Sequence, residues 1–127
     1  MKKAHALHNE ELYDFLLSTK KYNDWVITTA FYSALHFVQH ELFPRTEEGN
    51  TYADFNEYYG KILKRMGYNK HSGTIYLVRR HLPACSSVYR RLYDRCMDAR
   101  YKEYHVTEST AVETRRDLST LKSYLSK

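Results

Sequence analysis

Asn23-Asp24-Trp25-Val26-Ile27-Thr28-Thr29-Ala30-Phe31-Tyr32-Ser33-Ala34-Leu35-His36-Phe37-Val38-Gln39-His40-Glu41-Leu42-Phe43-Pro44 is the stretch on which the fold turns. It carries two adjacent stripes at helical spacing. Trp25, Thr29, Tyr32, His36 and Gln39 form one; Ile27, Phe31, Ala34, Val38 and Leu42 form the other. A helix apolar over so much of its girth belongs in the middle of a bundle. Asn23 or Asp24 is placed to cap its start, and Pro44 stops it just past Phe43.

Outward from this helix the pattern stays helical. Residues 8–19 put Leu12, Phe15 and Leu16 on one stripe with Tyr13 and Leu17 beside it, and Asn9 as a candidate cap. Residues 44–52 read as an acidic loop. A short helix over about 53–66 carries Phe55, Tyr58, Tyr59, Ile62 and Leu63 and ends at Gly67. Tyr68 to Gly73 reads as a polar turn, followed by a brief helix over about 74–82 that Pro83 closes. Ser86 or Ser87 caps the next helix, which reaches about 102 with Val88, Leu92, Cys96 and Ala99 as its core stripe. Tyr89, Tyr93, Met97 and Tyr101 run one position round, and Arg91, Arg95, Asp94 and Asp98 are left for the wetter side. Thr107 restarts the chain as a final helix to about 125. The expectation is one all-α domain over 1–127, an up-and-down bundle of four main helices with one or two short extra ones.

Composition agrees with that class. The chain has 127 residues, 43% hydrophobic and 28% charged, enough for one domain with a real core and too little for two. Gly 4 and Pro 2 argue against a turn-rich sandwich or barrel, and Tyr 13 argues against a disordered basic tail. No run approaches the ~20 apolar residues that cross a bilayer, and Met1-Lys2-Lys3 is followed by no apolar signal core. Cys85 and Cys96 match no zinc spacing and read as reduced thiols of a cytoplasmic protein. Charge is split between the halves. Residues 1–63 carry six Lys or Arg against nine Asp or Glu; residues 64–127 carry fourteen against six, within an overall charge of +5. A basic second half fits either a nucleic-acid surface or an ordinary solvated face.

Arg100 breaks the pattern. It lies four positions after Cys96 and next to Ala99, so the register aims it along the apolar stripe rather than into water. A desolvated guanidinium must find carboxylate, phosphate or carbonyl partners. His105 follows five residues later, where this helix ends, in Ala99-Arg100-Tyr101-Lys102-Glu103-Tyr104-His105-Val106. The plainer account makes Arg100 a partner of Glu103 or Asp24 and His105 a polar cap.

Arg, four residues, then His, near the end of the penultimate main helix of a small all-α bundle, resembles the signature of the HEPN superfamily. The Tyr22-to-His36 stretch is similar to the second helix of small HEPN-like proteins. The resemblance implies a homodimer whose Arg-His pairs meet in one cleft and, in active members, metal-independent cleavage of RNA. It departs at Tyr101, where active members commonly carry Asn, Asp or His. On this reading His105 moves the proton and Arg100 holds the scissile phosphate. The resemblance also implies a toxin-antitoxin or defence setting with a cognate nucleotidyltransferase-like antitoxin; the alternative is a non-catalytic module that binds RNA or a partner protein.

Around that pair, Tyr101 and Tyr104 are candidate stacking residues, and His71, Arg79 and Arg80 candidate phosphate contacts. Arg90, Arg91 and Arg95 interleave with Tyr89 and Tyr93 in the manner of RNA-binding surfaces, although Tyr at helical spacing is also core material. Histidines at 5, 8, 36, 40, 71, 81 and 105 form no recognised metal spacing, so neither metal nor cofactor is expected.

Overall fold

A computed structural model describes residues 2–102 and 106–125, which form six helices and a two-stranded sheet. In chain order they are α1 (Lys2–Thr19), α2 (Asn23–Leu42), β1 (Arg45–Glu47), β2 (Asn50–Tyr52), α3 (Phe55–Tyr58), α4 (Lys70–His81), α5 (Ser86–Tyr101) and α6 (Glu108–Leu125). α3 runs on into a π-helical turn, Tyr59–Leu63, and a 3-10 turn at Pro83–Cys85 leads into α5.

α2 is the central helix, packed against α1, α5 and α6. Its Val26, Ile27, Ala30, Phe31, Ala34, Val38 and Leu42 are buried. Small residues let α1 approach closely: Ala6, Ala30, Ser33 and Ala34 are fully buried, and the Ser33 hydroxyl donates to the Ala6 carbonyl at 2.8 Å. Phe31 is the aromatic hub, with the rings of Tyr32, Tyr89 and Tyr93 between 5.3 and 5.7 Å away. Such pairs add roughly 0.5–1.5 kcal/mol each beyond area burial.

The structure corrects several expectations. α1 begins at Lys2 rather than about residue 8, so Asn9 lies in mid-helix and caps nothing. Its buried face is Ala6, Glu10 and Tyr13, with Leu17 partly buried, while Leu12 and Phe15 face water. Glu10 sets that rotation. It is buried and receives hydrogen bonds from Arg115 and Lys122 of α6, an arrangement that turns the neighbouring apolar residues outward. At the start of α2 no side chain caps the helix; Asn23 instead donates to the Val106 carbonyl at 3.1 Å. Ser86 and Ser87 lie within α5, whose preceding residue Cys85 provides no side-chain cap. Thr107 does cap α6, accepting from the Thr110 amide at 3.1 Å.

The 44–52 segment is a hairpin, not a loop. Glu48 and Gly49 both take positive φ between Glu47 and its partner Asn50, the geometry of a two-residue primed turn. The supposed polar turn before α4 is its first turn: Asn69 and Ser72 form a reciprocal capping box that starts the helix at Lys70. Gly67 is the expected helix end, at φ +93, with the Tyr68 amide reaching back to Leu63. Within α4, a Cβ on Gly73 would stand 2.9 Å from Leu63, so the π-turn and α4 pack closely.

Cys85 and Cys96 are buried free thiols. Among the described residues, no helix is long and apolar enough to cross a membrane.

Candidate functional site

α5 delivers Arg100 to the surface at its last turn. Cys96 and Ala99 finish the buried stripe, and Arg100, one position round, is exposed. The expectation that its register buries it fails for that reason: the core ends at Ala99, and a long guanidinium stem carries its head past the edge. The head is nevertheless held. Its Nη1 donates to the Tyr32 hydroxyl of α2 at 2.7 Å, and its Cζ lies 6.0 Å from the Tyr32 ring centroid and 5.2 Å from that of Tyr101. Among the described residues no carboxylate pairs with Arg100. Asp24 lies beside it in a small depression without forming an ion pair.

Arg100 forms part of a groove of about 460 Å³ between α1 and α2, with His5, Asn9, Trp25, Tyr32 and His36 among its walls. The His5 and His36 rings stack at 3.9 Å. Trp25 and Leu12 stand on the groove with 56% and 43% of their surface exposed, an unpartnered apolar rim. A guanidinium has five N–H donors in a planar fork, and Tyr32 engages one of them. What the arrangement can do is bind an oxyanion and hold it in register.

The residues named from sequence separate into three groups. His71 lies near enough to Arg100 to feel its charge but does not line the groove. It sits in the first turn of α4, its ring 5.7 Å from Phe31 and 5.6 Å from Tyr93. Burial, and secondarily the Arg100 charge, hold its pKa below the usual histidine value, so it is neutral at pH 7. Tyr101 is 70% exposed, its ring against the Arg100 guanidinium, and free to stack on a ligand. Arg79 and Arg80 lie elsewhere, exposed at the far end of α4. His105 and Tyr104, with Glu103, lie outside the described residues.

The Arg90–Arg95 cluster is corrected. Arg91 and Arg95 both hydrogen-bond Asp117 of α6, at 3.0 and 2.8 Å for the shorter contacts, and Tyr89 is buried. Two of the three arginines join α5 to α6, and the Tyr89 ring has no face to offer a base. Tyr13 and Tyr89 likewise keep their hydroxyls inside the core, and no hydrogen-bond partner is found for either among the described residues.

Sequence reasoning missed the groove itself. Helical spacing alone puts Trp25, Thr29, Tyr32 and His36 on a stripe that resembles core, yet that stripe mixes hydroxyls and an imidazole with its rings. Polar groups at successive turns were the available signal for a solvent-facing wall. Among the described residues, no group of three or more His, Cys, Asp or Glu is placed to hold a metal ion. No family model, no curated protein and no solved structure matches this chain, so what the groove can do follows from its own residues.

Proposed function

We propose that this is a HEPN-like, RNA-directed protein of the cytoplasm that cleaves RNA without a metal, as a homodimer, with Arg100 and His105 as its catalytic residues. The observation that supports this reading most is the state of Arg100. It is cationic, exposed, oriented by Tyr32 and unclaimed by any described carboxylate, on a groove rimmed by bare Trp25 and Leu12. A structural arginine is expected to have a carboxylate partner, as Arg91 and Arg95 have in Asp117.

In the proposed reaction the ribose 2′-oxygen attacks the adjacent phosphorus and gives its proton to a base. The P–O5′ bond breaks, and the 5′-oxygen takes a proton from an acid. The products are a 2′,3′-cyclic phosphate and a 5′-hydroxyl end. Arg100 binds the phosphate oxygens and offsets the charge that grows on them. His105 supplies one proton-transfer role, and the same histidine of a second copy supplies the other. Tyr101 is placed to stack a base beside the scissile phosphate. A cognate nucleotidyltransferase-like antitoxin is the partner this reading implies.

The test is incubation of the purified protein with cellular RNA in EDTA. Cleavage to cyclic-phosphate ends is expected, lowered about 100-fold or more in Arg100→Ala and in His105→Ala. Cleavage retained in both variants overturns the assignment. RNA binding without products replaces it with a non-catalytic module.

A further inference from the structure

Between Glu57 and Asp94 the chain has no acidic residue, while eight Lys and Arg occur there. Two of the eight, Arg90 and Arg91, pair with Asp94 and Asp117, and Lys70 lies over the Tyr59 ring. Lys61, Lys64, Arg65, Arg79 and Arg80 are exposed, and none has an ion pair among the described residues. Five cations without counter-ions in so short a span repel one another, and that cost is offset when a polyanion lies across them.

One of them, Arg80, lines a second groove, of about 510 Å³, between the hairpin, the π-turn and α4, which shares no lining residue with the Arg100 groove. Ile62, Met66 and Tyr76 form its apolar floor, and Arg80 projects into it. Lys61 and Arg65 each precede one of the floor residues Ile62 and Met66, so they stand at its edge. Its hairpin wall is joined to its neighbours by hydrogen bonds. Arg45 bonds Glu47 and reaches His81, and the Tyr58 hydroxyl donates to Glu47 at 2.9 Å. The Glu47 charge is therefore met internally, which leaves Glu48 at the hairpin turn as the opposing acid. A π-turn inside a helix often marks a functional site, and here it carries the edge cation Lys61 and the floor residue Ile62.

The geometry points to a second RNA-binding site, in which the phosphodiester backbone of a single strand lies along Lys61, Arg65 and Arg80 with a base against Tyr76 and Met66. The inference rests on the RNA-directed reading above and adds an exosite to it. His71 and Arg80 are nine residues apart on α4, about 13 Å along the helix axis and on opposite sides of it. A strand that reaches both sites must therefore pass round α4 and needs more than the roughly four nucleotides, at ~3.4 Å each, that the axial rise alone would take. A flexible, single-stranded partner suits a shallow groove with an apolar floor better than a rigid duplex does.

The probe is a fluorescent single-stranded 2′-O-methyl RNA, which lacks the attacking hydroxyl and so survives the assay. Arg65→Gln with Arg80→Gln should raise its Kd about tenfold and flatten the slope of log K against log salt by about 1.4, two contacts at ~0.7 each. Glu48→Gln should tighten binding, a gain that misfolding cannot imitate. On cleavable RNA the double variant should raise KM with kcat unchanged. An unaltered Kd and salt slope in the double variant overturns the exosite, as does equal competition by polyglutamate at the same charge concentration. The two readings fail separately. Cleavage that survives Arg100→Ala removes the catalytic assignment and leaves the exosite standing; intact RNA affinity in the double variant does the reverse.

Discussion

Asp117 shows at the level of one side chain how charge is used inside this bundle. It is buried on α6, and its two oxygens receive Arg91 and Arg95 from α5. Those arginines keep 50% and 22% of their side-chain surface, so solvent screens part of the attraction. Removing the carboxylate leaves two like charges facing each other over an empty site. Asp117→Ala should lower stability by about 1–3 kcal/mol, read as a shift in the urea midpoint. Asp117→Asn should lose less, because the amide oxygen still accepts. Neither arginine could be assigned this role from sequence, because Asp117 lies 26 residues beyond Arg91 and 22 beyond Arg95. Periodicity places Arg91 and Arg95 on the wet side; Arg91 is half exposed there, while Arg95 is largely covered by α6, and the spacing says nothing about what stands opposite. Arg100 was legible for a different reason: a cation adjoining an apolar stripe is a local anomaly, visible without knowing the neighbour. Its anchor, Tyr32, was hidden because a tyrosine on a stripe looks the same whether it fills the core or holds a guanidinium.

Among the elements, the hairpin is tethered to α4 through Arg45 and His81. Arg45 Nη2 lies 2.8 Å from His81 Nδ1 and 3.0 Å from Nε2, and a guanidinium N–H can only donate. His81 must therefore meet it unprotonated, and its pKa is held down by burial first and then by Arg45. The unfolded chain binds that proton more readily than the folded one. Stability from His81 is thus full above about pH 6.5 and is lost as pH falls toward the folded-state value. Glu47 adds a second step. Burial alone would raise its pKa, but hydrogen bonds from Arg45 and Tyr58 more than offset that and leave it lowered. Its contribution is lost only as pH falls below about 4.5. Thermal midpoints measured from pH 8 to pH 5 should decline below about 6.5, and His81→Gln should flatten that decline; His71 supplies the remaining slope. An unchanged slope in His81→Gln removes the tether from the account. The long helices could be read because apolar spacing marks α2, α5 and α6 with little reference to distant parts of the chain. The hairpin and the first turn of α4 escaped because their determinants are single residues. Gly49 permits a primed turn and Asn69 closes a capping box, while the polar residues around them read as loop.

For the whole molecule, the question is what covers the face that carries the Arg100 groove. Leu12, Phe15 and Trp25 expose 43%, 65% and 56% of their surface. Leu12 and Trp25 line the groove, and Phe15 follows Leu12 by three residues on α1. Three large apolar side chains left bare at one edge are more than scattered surface hydrophobics usually amount to. A second copy of the chain, placed with its own α1 and α2 against this edge, would bury them and bring two Arg100 side chains to one cleft. The proposed chemistry needs such an arrangement, since one histidine cannot act at once as the base at the 2′-oxygen and the acid at the 5′-oxygen. A stable interface removes about 800 Å² from each partner, which requires neighbouring polar residues of α1 to join the apolar rim. Sedimentation equilibrium should therefore show a dimer at micromolar concentration. Trp25→Asp should dissociate it, because burying an unpaired carboxylate costs several kcal/mol. Trp25 lies outside the buried core, so the variant should keep its helical circular dichroism, with the thermal midpoint lowered only by the loss of the partner copy. Loss of RNA cleavage together with loss of the dimer, in a protein still folded, ties activity to assembly. A wild-type monomer that cleaves RNA at full rate would instead require both proton-transfer groups within one chain.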